Sequence, residues 1–307
     1  MKNNKHKYRI FLSPPYQSGN ELQSLSEVLD SNWLAPGGVH VERFEQRLTK
    51  ITNRKYCVAL NSGTAAIHLA LKALYIEQGD YVICQSFSFV ATANPISYLG
   101  AKPVFIDSEV DTLNINPELL EEAIVDLAEK GVKPKAIIYV HIYGNPAKVL
   151  ELQRISDQYE IPLIEDAAEA LGSQFQSKPV GQFGKISILS FNGNKVITTA
   201  GGGALITDDQ EIEKRVKSLA SQSRDKHVAF LHPEVGYNYQ MSSLNAALGL
   251  AQLDQLQYCI TRKREIFKTY VARIKSPVIK YIDEKENVLN RWLSVFILNT
   301  KAERDRV

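Results

Sequence analysis

The sequence predicts an α/β protein with a mostly parallel central sheet, followed by a smaller α+β domain that begins near the C-terminal end. Three observations carry this. Between about residue 56 and residue 165, apolar strand-like runs alternate with helical patterns. After Ser187 the rhythm changes, and two strand-like stretches follow each other with only a short loop between them. Met241 to Arg273 then reads as long helical sequence, a bridge to a second unit that opens with a strand over Arg291 to Leu298. The expected division is 1–250 for the large domain and 251–307 for the bridging helix and an incomplete small domain.

Each element has a local reason. Ser18 followed by Glu21 is a capping-box pattern, which places a helix through about Leu29. A second helix covers Val39 to Ile51, with Phe44, Leu48 and Ile51 on one face. Strand Tyr56 to Leu60 leads to a helix over Gly63 to Leu74. Strand Tyr81 to Cys84 leads to a helix near Val90 to Leu99. Val104 to Ile106 is the next strand, and Pro117 opens a helix to Glu129 at the turn where a missing N–H is harmless. Strand Ala136 to Val140, helix Ala147 to Tyr159 and strand Pro162 to Glu165 complete the alternation. Strands Ile186 to Phe191 and Ala204 to Thr207 and a helix over Asp209 to Ser221 follow.

Bulk properties exclude several classes of function. The 307 residues are 44% hydrophobic and 23% charged, ordinary values for a globular chain. Lys plus Arg (36) nearly balances Asp plus Glu (34), which gives no basic face for nucleic acid and no case for membrane attachment. No run of about 18 apolar residues occurs and no apolar signal stretch follows the polar start, so a cytoplasmic protein is expected. Three scattered cysteines, Cys57, Cys84 and Cys259, form neither a disulfide framework nor a metal site, and no metal is expected.

Three segments want a phosphate and a pyridine ring. Asn61-Ser62-Gly63-Thr64-Ala65-Ala66 lies where a strand ends and a helix begins. A helix N-terminus holds anions through unpaired N–H groups, although Ser-Gly-Thr also serves as a plain N-cap. Pro162 to Ala170 delivers Glu165 and Asp166 at the carboxyl end of a strand, the edge where open α/β sheets bind ligands. A carboxylate there can keep a pyridine nitrogen protonated, and Asp166 is the candidate; capping the next helix is the simpler alternative. In Ser190-Phe191-Asn192-Gly193-Asn194-Lys195, followed by Gly201-Gly202-Gly203, one lysine stands between a strand and a triple glycine. A lysine that must attack an aldehyde needs a sheltered, polar setting, which Ser190, Asn192 and Asn194 suit. Loop lysines are usually solvated, and it is the company of the other two segments that singles this one out.

With Ser13-Pro14-Pro15, Ser86-Phe87-Ser88-Phe89-Val90-Ala91-Thr92, Glu165-Asp166-Ala167-Ala168-Glu169 and Asn290-Arg291-Trp292-Leu293, these motifs resemble the DegT/StrS family of sugar-nucleotide aminotransferases. The resemblance spans nearly the whole chain. It implies the aspartate-aminotransferase fold (fold type I) and pyridoxal 5'-phosphate as cofactor. Lys195 would carry the cofactor as a Schiff base and act as acid and base. Asp166 would pair with the pyridine nitrogen, and Phe89 would stack on the ring. Gly63, Thr64 and Ser190 would hold the phosphate. Asn245 would reach the phosphate of a neighbouring subunit, which implies a homodimer with shared active sites. Glu169 is expected at the cofactor in a less defined role. His141, Tyr143, Asn192 and Asn194 are pocket candidates; Arg224 and Asn238 could touch the sugar nucleotide or lie on a solvated surface. His68, within an apolar helix, reads as structural.

Within the family, the segment from Ser190 to Thr199 and the Ser-Pro-Pro opening resemble enzymes that aminate UDP-4-keto-6-deoxy-N-acetylglucosamine, with L-glutamate as donor, for bacterial glycans or exopolysaccharides. Another keto sugar, dTDP- or GDP-linked or 3-keto, is the alternative. A dehydratase branch of the same fold has His where Lys195 stands, and a nicotinamide enzyme would need a Gly-x-Gly-x-x-Gly turn that the first strand lacks. Family members extend past the position of Val307, so a truncated, non-catalytic or regulatory homologue is the reading from a different class.

Overall fold

The apolar runs line up as one seven-stranded sheet in the computed structural model, which describes residues 11–225, 231–275, 279–282 and 287–306. Helices α1 (Glu21–Ser31) and α2 (Val39–Thr52) precede β1 (Tyr56–Leu60). Then come α3 (Gly63–Ala73), β2 (Tyr81–Gln85), α4 (Asn94–Tyr98), β3 (Lys102–Ile106), α5 (Pro117–Glu129), β4 (Ala136–Val140), α6 (Val149–Tyr159) and β5 (Leu163–Asp166). A short hairpin, β6 (Gln174–Phe175) and β7 (Lys178–Pro179), leads to β8 (Ile186–Ser190), β9 (Gly203–Thr207) and α7 (Gln210–Ala220). The remainder is α8 (Ser243–Asp254), α9 (Leu256–Arg273), β10 (Ile279–Tyr281), β11 (Phe296–Leu298) and α10 (Lys301–Arg306).

The sheet order is β1-β9-β8-β5-β4-β2-β3. From β8 to β3 all pairs are parallel, and only β9, between β1 and β8, runs the other way. The carboxyl ends of β1, β2, β4, β5 and β8 therefore meet along one edge, the place where such sheets bind ligands. Alternate side chains feed different cores. Ile186 and Ile188 of β8 pack in the cluster that α3 and α7 cover, whereas Leu189 joins Phe44, Phe191 and Met241 on the opposite side. A third cluster lies under α5 and α6, around Tyr139, Leu152 and Ile155.

Several boundaries differ from the sequence pattern, each for a local reason. The helix expected over Val90 to Leu99 is a 3₁₀ turn, Val90–Thr92, followed by α4 with Pro95 in its first turn. The helix expected from Ala147 begins at Val149, because the Ala147 amide is engaged by His141. Met241 to Arg273 is two helices that break at Gln255, and the expected 250/251 boundary falls inside α8. Only Phe296–Leu298 of the stretch from Arg291 is strand, since Arg291 adopts a left-handed φ of 53°. Half of the capping box forms: Glu21 accepts from the Ser18 and Gly19 amides at 2.9 Å each, and Asn20 caps α1 without a side-chain bond.

Candidate active site

The turn from β1 into α3 comes first. The Ser62 hydroxyl accepts from the Ala65 amide at 3.0 Å, so the serine serves as the helix cap. That leaves the Gly63 and Thr64 amides at the head of α3, where no intrahelical acceptor exists and a partial positive charge accumulates. Ser190, the last residue of β8, lies against this turn: a β-carbon on Gly63 would stand 3.1 Å from Ser190 Cβ and 3.4 Å from its Oγ. A β-carbon on Gly203 would fall 2.4 Å from both Gly63 N and Ser62 C. Gly203 thus lets the start of β9 pass directly behind this turn.

The second component is Asp166, buried at the end of β5. Its Oδ2 accepts from Thr92 Oγ1 at 2.8 Å and its Oδ1 from the Ala168 amide at 3.2 Å. An ionised carboxylate can only accept, so Thr92 spends its hydrogen there, and Ser88 Oγ, 2.6 Å from Thr92 Oγ1, is the donor in that pair. Burial pushes the Asp166 carboxyl up, against the opposing pull of Thr92, the Ala168 amide and the charge of Lys195. Phe89, three residues before Thr92, holds its ring 71% exposed at the same cavity.

Lys195 is the third. Its side chain is 13% exposed, with Nζ 3.4 Å from Glu169 Oε1 and 4.3 Å from the centre of the Trp292 ring. The Tyr143 amide donates to Glu169 Oε2 at 2.6 Å, from a backbone with φ of 56°. Burial raises the Glu169 carboxyl above its ordinary range, partly offset by Lys195 and the Tyr143 amide. Asn290 ties this corner together. Its Nδ2 donates to the Glu169 carbonyl at 2.9 Å, and its Oδ1 accepts from the Trp292 amide at 2.9 Å.

These groups line one cavity of 360 Å³. Of the residues singled out in the sequence, Gly63, Thr64, Phe89, Asp166, Glu169, Ser190, Asn192, Asn194 and Lys195 face it. Five do not. His141 is wholly buried beneath it. Because the Ala147 amide donates to its Nδ1 at 2.9 Å, Nε2 carries the hydrogen, 2.9 Å from the buried carboxylate of Glu165. His141 is a packing residue of the sheet edge, not a pocket residue. Tyr143 contributes its amide, while its ring meets Phe87 edge-on at 6.1 Å. Asn245 is turned to its own backbone surroundings, donating to the Thr199 carbonyl and accepting from Ser242, both at 2.5 Å. Arg224 lines a separate 870 Å³ cavity with Glu45, Glu213 and Lys217. The Asn238 carbonyl accepts from Asn61 Nδ2 at 3.3 Å. His68 sits among Tyr98, Tyr237 and Tyr239, consistent with a structural role.

Among the lining residues that escaped the sequence reading as individuals are Thr92 and Trp292. Both lie inside motifs quoted for the family resemblance, which was the only available signal. Among the described residues, no group of three His, Cys, Asp or Glu could hold a metal, and no helix is long and apolar enough to cross a membrane.

Residues 15–307 match the DegT/DnrJ/EryC1/StrS aminotransferase family. EpsN of Bacillus subtilis (strain 168), named as a pyridoxal phosphate-dependent aminotransferase, is 46% identical over 293 residues, covering 95% of this chain and 76% of its own length. A GDP-perosamine synthase of Escherichia coli O157:H7 is 37% identical over 297 residues, covering 96% and 80%. Among solved structures, the sugar aminotransferase Spr1654 of Streptococcus pneumoniae in its PLP form superposes with a TM-score of 0.90 at 27% identity, covering 97% of this chain and 81% of that one.

Proposed function

This chain belongs to the DegT/DnrJ/EryC1/StrS aminotransferase family, and from that premise we propose that it moves an amino group from glutamate to the 4-keto carbon of a nucleotide-linked 4-keto-6-deoxy sugar, UDP-4-keto-6-deoxy-N-acetylglucosamine in particular. It is a sugar aminotransferase that uses pyridoxal phosphate. The convergence of Lys195, Asp166 and the Gly63–Thr64 turn on one cavity carries the cofactor chemistry, and the resemblance of the segment from Ser190 to Thr199 and of the Ser-Pro-Pro opening supports the choice of sugar.

The residues present fit the cofactor. The amides heading α3, with Ser190 beside them, suit a phosphate. A buried carboxylate and an exposed aromatic ring suit the edge and the face of a pyridine: Asp166 for the nitrogen and Phe89 for the ring face. When bound, the cofactor supplies an aldehyde that takes up an amino group and a ring that absorbs developing negative charge. The protein does the rest. Asp166 keeps a proton on the pyridine nitrogen, and the amides of α3 anchor the far end. Lys195 Nζ removes the proton from the carbon of the amino donor and later delivers one to the sugar carbon. Glu169, 3.4 Å from Nζ, holds that amine toward the cavity. Asn192 and Asn194 line the cavity beside Lys195 and are the substrate contacts of this reading.

A homodimer is part of the same proposal. It follows from the resemblance at Asn245, the third residue of α8 after its Ser242 cap, which lies outside its own chain's cavity. Light scattering that finds only monomer would remove it.

The test is direct. Lys195→Ala is expected to lose borohydride-fixed pyridoxal phosphate and all transamination, with an unchanged circular-dichroism spectrum; turnover in this variant would show that another lysine does the work. UDP-, GDP- and dTDP-linked 4-keto-6-deoxy sugars offered with glutamate should give an amino sugar fastest with the UDP compound. A GDP sugar that reacts best would move the assignment toward the GDP-perosamine synthases, which are 34–37% identical to this chain.

A further inference from the structure

Lys195 is enclosed from a direction that its own loop does not supply. Trp292, 97 positions later in the chain and only 6% exposed, places its ring face 4.3 Å from Nζ. The same indole donates from Nε1 to the carbonyl of Asn194, the residue just before the lysine, at 2.6 Å. A single side chain therefore touches both the tip of Lys195 and the backbone it springs from.

Besides its indole N–H, the backbone of Trp292 is fixed at two points. Asn290 Oδ1 accepts from its amide at 2.9 Å, and Lys263 Nζ of α9 donates to its carbonyl at 3.0 Å. Ser13 Oγ donates to the same Asn194 carbonyl at 3.2 Å. The π face of an indole attracts an ammonium group, most strongly where water is excluded. The Glu169 carboxylate lies 3.4 Å from the same Nζ, and the main-chain carbonyl of Glu169 is bound by Asn290. The two walls that hold Nζ are thus referenced to one buried amide.

We propose that Trp292 is a positioning residue for Lys195: its ring and the Glu169 carboxylate hold the free amine between them at the cavity, and its indole N–H sets the loop that carries the lysine. The inference rests on the reading of Lys195 as the cofactor-bearing lysine. A lysine side chain has four rotatable bonds, and an amine released from the cofactor would otherwise sweep a wide arc. Holding it in reach preserves the geometry that proton transfer needs.

The experiment compares Trp292→Leu, which removes the ring, with Trp292→Phe, which keeps a ring and loses the N–H. Apo-protein is mixed with pyridoxal phosphate, and the rate of borohydride-fixable attachment is followed; affinity for pyridoxamine phosphate, which has no aldehyde, is measured alongside. Trp292→Leu should slow attachment on the order of tenfold and lower kcat similarly, with KM for the sugar within about twofold. Affinity for pyridoxamine phosphate should stay within about twofold, and Trp292→Phe, which keeps a ring but loses the bond to the loop, should attach at a rate between those of Trp292→Leu and the unaltered protein. In a Lys195→Ala background, Trp292→Leu should cost nothing further in that affinity. Attachment and kcat unchanged in Trp292→Leu would overturn the inference, as would an equal loss of affinity for pyridoxamine phosphate, which marks a general packing role. If Trp292→Leu does not fold, Trp292→Met takes its place: slowed attachment with affinity for pyridoxamine phosphate kept upholds the role of the ring, and an unchanged attachment rate refutes it. Label retained in Lys195→Ala would overturn the reading of Lys195 and this inference together; label lost there with Trp292→Leu unaffected overturns only this one.

Discussion

Asp166 is held between two opposed influences. Burial raises its carboxyl, and the hydrogen bond from Thr92 Oγ1 at 2.8 Å is the first of the influences that lower it. The ionised form is the one that can keep a pyridine nitrogen protonated. Thr92→Val removes a donor to a charged group without changing the side chain's shape much. Such a bond is worth about 1.5–3 kcal/mol, so the Asp166 carboxyl should rise further. The sign follows: activity is lost as pH falls through the carboxyl's value, so the acid limb of kcat should move to higher pH. An acid limb that stays in place would show that Thr92 does not tune Asp166. Ser88, which donates to Thr92, belongs to the same chain of hydrogen bonds.

At the scale of elements, the site depends on how closely β9 passes α3. Gly203 leaves room for the Ser62–Gly63 backbone, and backbone atoms cannot swing aside as a flexible side chain can. Gly203→Ala should therefore displace the turn, lowering affinity for pyridoxal phosphate at least tenfold and stability by about 1–3 kcal/mol, the usual cost of overpacking. A calorimetric titration with normal affinity would contradict this. The 3₁₀ turn Ile142–Gly144 is similarly constrained. Tyr143 has a φ of 56°, and a β-carbon on Gly144 would sit 2.0 Å from Asn290 Oδ1. That turn aims the Tyr143 amide at Glu169. Strand and helix identities from β1 to β5 were readable because period and length differ between the two classes. The segment around Asn290 to Trp292 was not, because a left-handed Arg291 and the side-chain bonds of Asn290 replace the ladder that its composition suggests.

For the whole molecule, segments far apart in sequence share one junction beside Lys195. Ser13, the loop of Asn194, Lys263 of α9 and Trp292 are joined by hydrogen bonds. A ligand that binds the folded chain alone stabilises it by mass action, about 2.7 kcal/mol at a hundredfold excess over Kd. Pyridoxal phosphate at that excess should raise the melting temperature by several degrees, and Lys195→Ala should retain only the non-covalent part of the gain. A melting temperature indifferent to the cofactor in both proteins would mean that the cavity does not bind it.

The sequence alone determined which residue types stand at the strand ends on which the proposed chemistry rests. A lysine before a triple glycine, a carboxylate closing an apolar strand and a Ser-Gly-Thr helix start are local features, each readable within a few neighbouring positions. The tertiary structure decided which other residues serve them. Thr92 meets Asp166 across 74 positions and Trp292 meets the loop of Lys195 across 98, while His141, which seemed equally placed at a strand end, turns beneath the sheet edge to Glu165. The physical reason is the strand order β1-β9-β8-β5-β4-β2-β3. It arises from the packing of two-sided apolar strands against helices, and so no short stretch of sequence encodes which strand ends become neighbours.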